Sequence, residues 1–141
     1  MRAFRSIVAG LIPLALSAVA CSPSKDASAD GVAGQDAKAQ TDLRNAYAAA
    51  ARFYTDDATY PVTAAQLNAF EPRMSFDPVI ANASTGTIGF SSASSNITFV
   101  TQSKSGTWFC IVASGPGGVT FGKGVALTEV DSDVECADAS W

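Results

Sequence analysis

Residues 39–61 read Ala-Gln-Thr-Asp-Leu-Arg-Asn-Ala-Tyr-Ala-Ala-Ala-Ala-Arg-Phe-Tyr-Thr-Asp-Asp-Ala-Thr-Tyr-Pro. Apolar side chains recur in this segment at intervals of three and four, which is the spacing of one face of an α-helix. Alanine is abundant, and glycine and internal proline are absent, so the intrinsic helix propensity agrees with the pattern. The sequence predicts one long helix over residues 35–57, whose core face is formed by Leu43, Tyr47, Ala50 and Tyr54.

The end of this helix is marked by Tyr60-Pro61, because a proline disfavours the helical conformation in the residue before it. Thr63 then predicts a short second helix through Phe70, with Thr63 as its N-cap and Gln66 as the reciprocal partner of a capping box. Leu67 and Phe70 would be the buried residues of this second helix.

The remainder of the chain has strand character, because short runs rich in β-branched and aromatic residues alternate with glycine- and serine-rich turns. The predicted strands are Arg73–Ile80, Thr87–Phe90, Asn96–Thr101, Thr107–Ala113, Val119–Phe121 and Ala126–Val130. Short connections favour antiparallel pairing, since parallel strands need long crossovers. The predicted class is therefore α+β, with one long N-terminal helix packed on an antiparallel β-sheet.

The first twenty residues have the composition of an export signal. Arg2 and Arg5 precede an uncharged apolar run of 14 residues, from Ile7 to Ala20. That run is shorter than the roughly 20 residues of a membrane-spanning helix, and it ends in the small-x-small pattern Ala18-Val19-Ala20. The sequence predicts a signal peptide over residues 1–20, with cleavage after Ala20.

Cys21 follows the predicted cleavage site directly, and Val19-Ala20-Cys21 resembles a bacterial lipobox, whose cysteine becomes the lipidated first residue of the mature chain. The resemblance implies lipidation of Cys21 and attachment to a membrane in the cell envelope; the alternative is ordinary secretion with a free Cys21. Residues 21–34 are small and polar without apolar periodicity, which predicts a flexible, lipid-anchored tether before a globular domain at 35–141.

The quoted helix resembles that of type IV pilins and pseudopilins, through Asp42-Leu43-Arg44-Asn45-Ala46 and the later Asp56 and Tyr60-Pro61. The resemblance extends over 35–141 and implies a pilin-like globular head. In that family a cysteine pair such as Cys110 and Cys136 closes a C-terminal loop, and export to an oxidising compartment also favours this disulfide. The family's long N-terminal apolar helix, which packs in the filament core, has no counterpart here.

Composition excludes several kinds of chemistry. The chain of 141 residues has no histidine, which removes the commonest general base and the histidine-containing zinc sites. The net charge is −4, and it becomes −6 when Arg2 and Arg5 are removed with the signal, so nucleic-acid binding is not expected. We expect no enzymatic activity and no cofactor.

Two features leave alternatives open. Glu129, Asp131, Asp133, Glu135 and Asp138 form an acidic run. The alternation at 129, 131, 133 and 135 would put four carboxylates on one face of a strand, where they either bind calcium or form a solvated edge. Trp141 either docks against the disulfide loop or is exposed.

The resulting functional expectation is a non-enzymatic surface module that serves adhesion, protein contact or an accessory role in a pilus or secretion system. It would be monomeric in isolation, and its partner is not identified by the sequence. The alternative is a minor type IV pilin or pseudopilin that joins a filament.

Overall fold

A single long helix begins the globular part of the chain, for which the computed structural model describes residues 31–115, 117–137 and 141. Helix α1 covers Val32–Asp57, so it begins three residues earlier than predicted and includes the last residues assigned to the tether. It ends at Ala58, which adopts a left-handed conformation and donates its N–H to the carbonyl of Tyr54. The predicted signal peptide and most of the predicted tether, including Cys21, lie outside the described residues.

The core face of α1 is formed largely by alanines. Leu43 and Ala50 are fully buried, and Tyr47 and Tyr54 are partly buried against the same core. Arg52 on the other side of the helix is exposed. The small side chains let α1 lie close to the sheet, where its contacts are with the two central strands.

A short second helix, α2, covers Ala64–Asn68 and confirms the predicted capping box. The Thr63 hydroxyl accepts the N–H of Gln66 at 3.3 Å, and the Gln66 side chain accepts the N–H of Thr63 at 2.9 Å. Leu67 is the buried residue of this helix.

Five strands form one sheet, which confirms the α+β class. The strands are β1 (Ser75–Asp77), β2 (Thr87–Ser92), β3 (Asn96–Gln102), β4 (Trp108–Ser114) and β5 (Gly118–Gly124). They lie side by side in chain order, and β2 to β5 are antiparallel.

The expectation of a wholly antiparallel sheet is wrong at one edge, because β1 pairs with β2 in parallel. The connection runs over residues 78–86 and contains a 3₁₀ turn at Ile80–Asn82. This short connection folds directly onto β2. A Cβ atom at Gly89 would lie 2.8 Å from the Cβ of Ala83 and 2.9 Å from the backbone of Ile80. Because Gly89 has no side chain, the connection can pack directly on β2. The parallel strands β1 and β2 are therefore joined by a crossover shorter than usual.

The central strands are buried on both faces. On one face α1 covers Ile97, Phe99, Phe109 and Ile111, which belong to the larger hydrophobic core. On the opposite face a smaller core contains Val100, Cys110 and Val112 of the sheet, with Val130 and Cys136 from the C-terminal segment. Burial on both faces explains why β3 and β4 read as nearly continuous apolar runs.

The predicted strand Ala126–Val130 is wrong, because this segment contains a 3₁₀ turn at Leu127–Glu129. The Glu129 carboxylate accepts the N–H groups of Val125 at 2.7 Å and Ala126 at 3.4 Å, so it satisfies backbone donors that a strand would pair with a neighbour. A third helix, α3, follows at Asp133–Ala137. Within the described residues, no helix is both long enough and apolar enough to cross a membrane.

Candidate functional site

The region between Cys110 and Cys136 contains most of β4 and the edge strand β5. The two cysteines form the predicted disulfide, with their Cα atoms 5.9 Å apart. The bond crosses Gly122 of the neighbouring strand β5. A Cβ atom at this position would lie 2.8 Å from the Cys110 sulfur and would also overlap the Cys136 backbone. Gly122 therefore allows the disulfide to lie directly on the sheet.

Trp141 docks on the domain, which decides between the alternatives left open for it, but it does so on the α1 face of the sheet. Its ring meets Phe109 and Phe121 edge-on, with ring centroids 5.8 and 4.9 Å apart. The Arg44 guanidinium lies 4.7 Å from the centre of the indole ring. The residue therefore closes the space between α1 and β5 rather than presenting a free aromatic surface.

The β4–β5 turn is tied to the segment that follows α1. The Tyr60 hydroxyl donates to the carbonyl oxygen of Gly115 at 2.9 Å, and the Tyr60 ring packs on Tyr54 with 4.6 Å between centroids. Burial, followed by the neighbouring phenols of Tyr47 and Tyr54, raises the pKa of Tyr60 above its ordinary value. Tyr60 therefore holds the β4–β5 turn in place, and the motif Tyr60-Pro61 also marks the end of α1.

A cleft of about 470 Å³ lies between the first turns of α1 and the end of β5. It is lined by Asp36 and Gln40 of the helix, Thr107 and Phe109 of the sheet, and Lys123 and Val125 at its rim. The Asp36 carboxylate is already occupied, because the hydroxyls of Ser103 and Ser105 donate to it at 2.6 and 2.5 Å. The contact fastens α1 to the β3–β4 turn.

On the opposite face of the sheet lies a second depression, of about 280 Å³, which we call the polar groove. Its floor includes Thr98 of β3, and Ser91 pairs with Thr98 across the strands. Asn96 lines it from the start of β3, Asp131 lines it from the segment before α3, and Asp133 lines it as the first residue of α3. Oxygen atoms from three parts of the chain therefore converge here.

The acidic run does not form a strand face. Glu129 caps the 3₁₀ turn, whereas Glu135 accepts the Ser132 hydroxyl at 2.8 Å in the first turn of α3. Burial, followed by a hydrogen bond to Glu135 and repulsion from it, raises the pKa of Asp131. Across the part of the chain that the structure describes, no three Asp, Glu, Cys or His residues lie close enough together to hold a metal ion. Asp138 lies outside that part.

Sequence reasoning found the disulfide and the acidic residues, but it did not predict the contacts of Tyr60 and Asp36 or the position of Thr98 in the polar groove. Thr98 lies in the middle of an apolar run, which gave only the signal of a buried strand residue. Its position opposite Ser91 and beneath Asp131 depends on the strand register and on the fold of the C-terminal segment.

Comparisons with known proteins do not place this chain in a family. No protein-family model, no curated protein and no solved structure matches it.

Proposed function

We propose that this protein is an exported, lipid-anchored module that binds a partner and has no catalytic activity. The observation that carries the proposal is the Cys110–Cys136 disulfide, in a chain whose first residues have the pattern of an export signal followed by Cys21. Disulfides persist in oxidising compartments and are rare in the cytosol. A domain crosslinked in this way therefore agrees with the interpretation of residues 1–20 as a signal.

Lipid anchoring at Cys21 is supported by the pairing of the other two cysteines. Of the three cysteines, Cys110 and Cys136 are paired with each other, which leaves Cys21 as the single remaining thiol. It stands where a lipobox would place the modified residue. A lipid at this position would keep the globular domain near the bilayer, because the ten residues that precede Gly31, 21–30, extend at most about 35 Å.

A binding role, rather than an enzymatic one, is supported by the composition of the chain and by the side chains that line the larger cleft. The chain has no histidine, and both carboxylates in the larger cleft already have partners: Asp36 accepts two serine hydroxyls, and Glu129 accepts two backbone N–H groups. The pilin-like resemblance of residues 35–141 adds the expectation of a head domain that meets other molecules at a surface. A filament subunit is the alternative that the same resemblance offers.

The proposal is tested by labelling cells that express the protein with radioactive palmitate. We expect the wild type and the matched control Ser22→Ala to incorporate label and to partition into the detergent phase. Cys21→Ser should do neither. Equal partitioning of all three proteins would contradict lipid anchoring at Cys21.

The filament alternative is tested separately, by sedimentation and electron microscopy of the exported Cys21→Ser protein. We expect a monomer, because the mature charge of −6 repels neighbouring copies. Filaments in these preparations would favour the minor-pilin alternative instead.

A further inference from the structure

The end of the domain at which α1 begins is formed by the first turns of the helix and by two loops of the sheet. Strand register places Gln102, Trp108 and Gly124 side by side, so β3, β4 and β5 each have one end there. The hydrogen bonds between Asp36 and the β3–β4 turn bring the first turns of α1 to the same place. A lipid on Cys21 would be attached to the domain at this end. We call it the tether-proximal end, and it comprises residues 32–36, 103–107 and 123–126.

Two strongly exposed valines flank the larger cleft at this end. Val125 is 84% exposed and lines the cleft directly after β5, and Val32 is 65% exposed. Val32 lies four residues before Asp36, which lines the cleft from the helix, so both belong to one face of α1. A lone exposed valine is ordinary, but two on the rims of one cleft form a small apolar contact surface, which is stabilised when it leaves water.

The tether-proximal end also carries two lysines that are available to an outside partner. Lys104 in the β3–β4 turn and Lys123 near the end of β5 are exposed, and neither makes an ion pair with a described residue. The carboxylates that line the cleft are bonded to the protein's own donors instead: Asp36 accepts serine hydroxyls, and Glu129 accepts backbone N–H groups. The charged donors left for a partner are therefore the two lysine ammonium groups, which favour an anion.

The opposite end of the domain is acidic. Helix α1 ends there with the exposed Asp56 and Asp57, and the exposed Asp131 and Asp133 lie beside the β2–β3 hairpin, whereas Arg52 supplies one exposed cation near the end of α1. With a mature charge of −6, the protein as a whole is repelled by an anionic surface. Because the free lysines and most of these aspartates lie at opposite ends, this repulsion is smallest when the tether-proximal end faces the surface.

We infer that the tether-proximal end rests on the surface of an anionic lipid bilayer, with Lys104 and Lys123 at the lipid phosphates and Val32 and Val125 at the headgroup boundary. The inference rests on the proposed lipid anchor and names the surface that the anchored domain turns towards the membrane. A weak contact is sufficient, because an anchor at Cys21 holds the domain within about 35 Å of the bilayer and so raises the effective concentration of the lipid surface. The β2–β3 hairpin and the β4–β5 turn then face away from the membrane.

The test attaches the mature chain, from Cys21 onward, to nanodiscs by coupling the Cys21 thiol to a maleimide lipid; the other two cysteines are paired with each other. Valine methyl groups are isotope-labelled, and a nitroxide on the lipid headgroups reports their distance from the bilayer by paramagnetic relaxation. In discs of equal parts phosphatidylglycerol and phosphatidylcholine, we expect severalfold faster relaxation at Val125 than at Val62. Val62 is the internal reference, because it is also exposed but follows Tyr60, which contacts the β4–β5 turn at the other end.

Substitution of either free lysine should weaken this orientation. Lys104→Gln and Lys123→Gln should each lower the equilibrium constant of the surface contact about fivefold, the effect of removing about 1 kcal/mol of attraction between one lysine and an anionic surface. The excess relaxation of Val125 over Val62 should fall accordingly, and it should also fall in discs of phosphatidylcholine alone. The matched control Arg52→Gln removes an exposed cation near the other end of α1 and should not reduce the excess.

Several outcomes would overturn the inference. Equal relaxation of Val125 and Val62 in anionic discs would show that the anchored domain has no preferred orientation. Equal effects of Lys123→Gln and Arg52→Gln, in variants that keep the thermal midpoint of the wild type, would show that the lysine does not contact the lipid. An excess that persists in neutral lipid and grows with the number of protein copies per disc would assign the surface to a second copy of the chain.

These results are independent of palmitate labelling in cells. Chemical coupling anchors the domain whether or not cells modify Cys21, so a failure of the proposed lipidation leaves the relaxation measurement readable. A domain without a preferred orientation would in turn leave the evidence for lipidation of Cys21 unchanged.

Discussion

Cys110 is held by the C-terminal segment from both faces of the sheet. Its sulfur is bonded to Cys136 on one face, while its carbonyl oxygen accepts the indole N–H of Trp141 at 3.2 Å, and the Trp141 ring packs on the α1 face. The two C-terminal residues are separated by only four others, 137–140. The segment thus fixes β4 and β5 together with the helix, and its loss would loosen both cores.

The disulfide should contribute strongly to stability. Cys110→Ala or Cys136→Ala should lower the free energy of unfolding by about 2–5 kcal/mol, the range found when a native disulfide is removed from a small exported domain. Chemical denaturation measures this change, and Cys21→Ala is the control that should leave it unaltered. Alkylation of both Cys110 and Cys136 in the native, unreduced protein would contradict the pairing.

Gly122 should be intolerant of any side chain, because the disulfide and the Cys136 backbone occupy the space that a Cβ atom needs. We expect Gly122→Ala to lower the free energy of unfolding by roughly 2 kcal/mol or more, as overpacking does in a closely packed core. Gly117→Ala in the nearby turn is the matched control, since nothing lies within 4 Å of its Cβ position. Similar thermal midpoints for the two variants would show that the disulfide does not lie on β5 as described.

Substitutions on the two sides of α1 should differ sharply in their effect on the free energy of unfolding. Ala50 is fully buried against the sheet, so Ala50→Arg would both overpack the contact and bury a charge. We expect a loss of at least about 3 kcal/mol, or failure to fold. Arg52→Ala, on the exposed side two residues later, should change the free energy of unfolding by less than about 0.5 kcal/mol. Equal losses in urea denaturation would mean that another face of the helix packs on the sheet.

The hydrogen bond between Tyr60 and Gly115 should be worth about 1 kcal/mol, which Tyr60→Phe would remove without changing the ring. The substitution should also alter the response to alkali. The pKa of Tyr60 is raised in the folded protein above its ordinary value of 10.0, so the unfolded chain loses this proton first. The stabilisation by the neutral phenol is therefore complete below pH 10 and is lost as the pH rises through the folded pKa.

Unfolding measurements from pH 8 to 12 test this expectation. The wild type should lose stability more steeply above pH 10 than Tyr60→Phe does. Tyr47→Phe is the control for a phenol that is only partly buried and that donates no hydrogen bond to Gly115. Parallel curves for wild type and Tyr60→Phe would show that Tyr60 does not titrate differently in the two states.

The local sequence determined those elements whose signals lie within a few residues. The spacing of apolar residues predicted the face of α1, Tyr60-Pro61 predicted its end, and Thr63 with Gln66 predicted the cap of α2. Five of the six predicted strands coincide in part with strands of the sheet, because β-branched and aromatic runs are recognisable without their partners. The sixth, at Ala126–Val130, failed because a single carboxylate, that of Glu129, satisfies the backbone locally.

Only the tertiary structure decided which segments of the chain pack against each other. The parallel pairing of β1 depends on Gly89 giving room to the crossover, and a glycine in the sequence does not say which segment will approach it. The polar groove likewise arises because strand register places Ser91 beside Thr98, and the fold of the C-terminal segment brings Asp131 over them. Ser91 and Thr98 belong to neighbouring strands of one hairpin, but Asp131 lies 33 residues beyond Thr98, so no periodicity links the three. Hydrophobic patterning predicts which side chains are buried, whereas the convergence of these polar side chains results from contacts that form only when both faces of the sheet are covered.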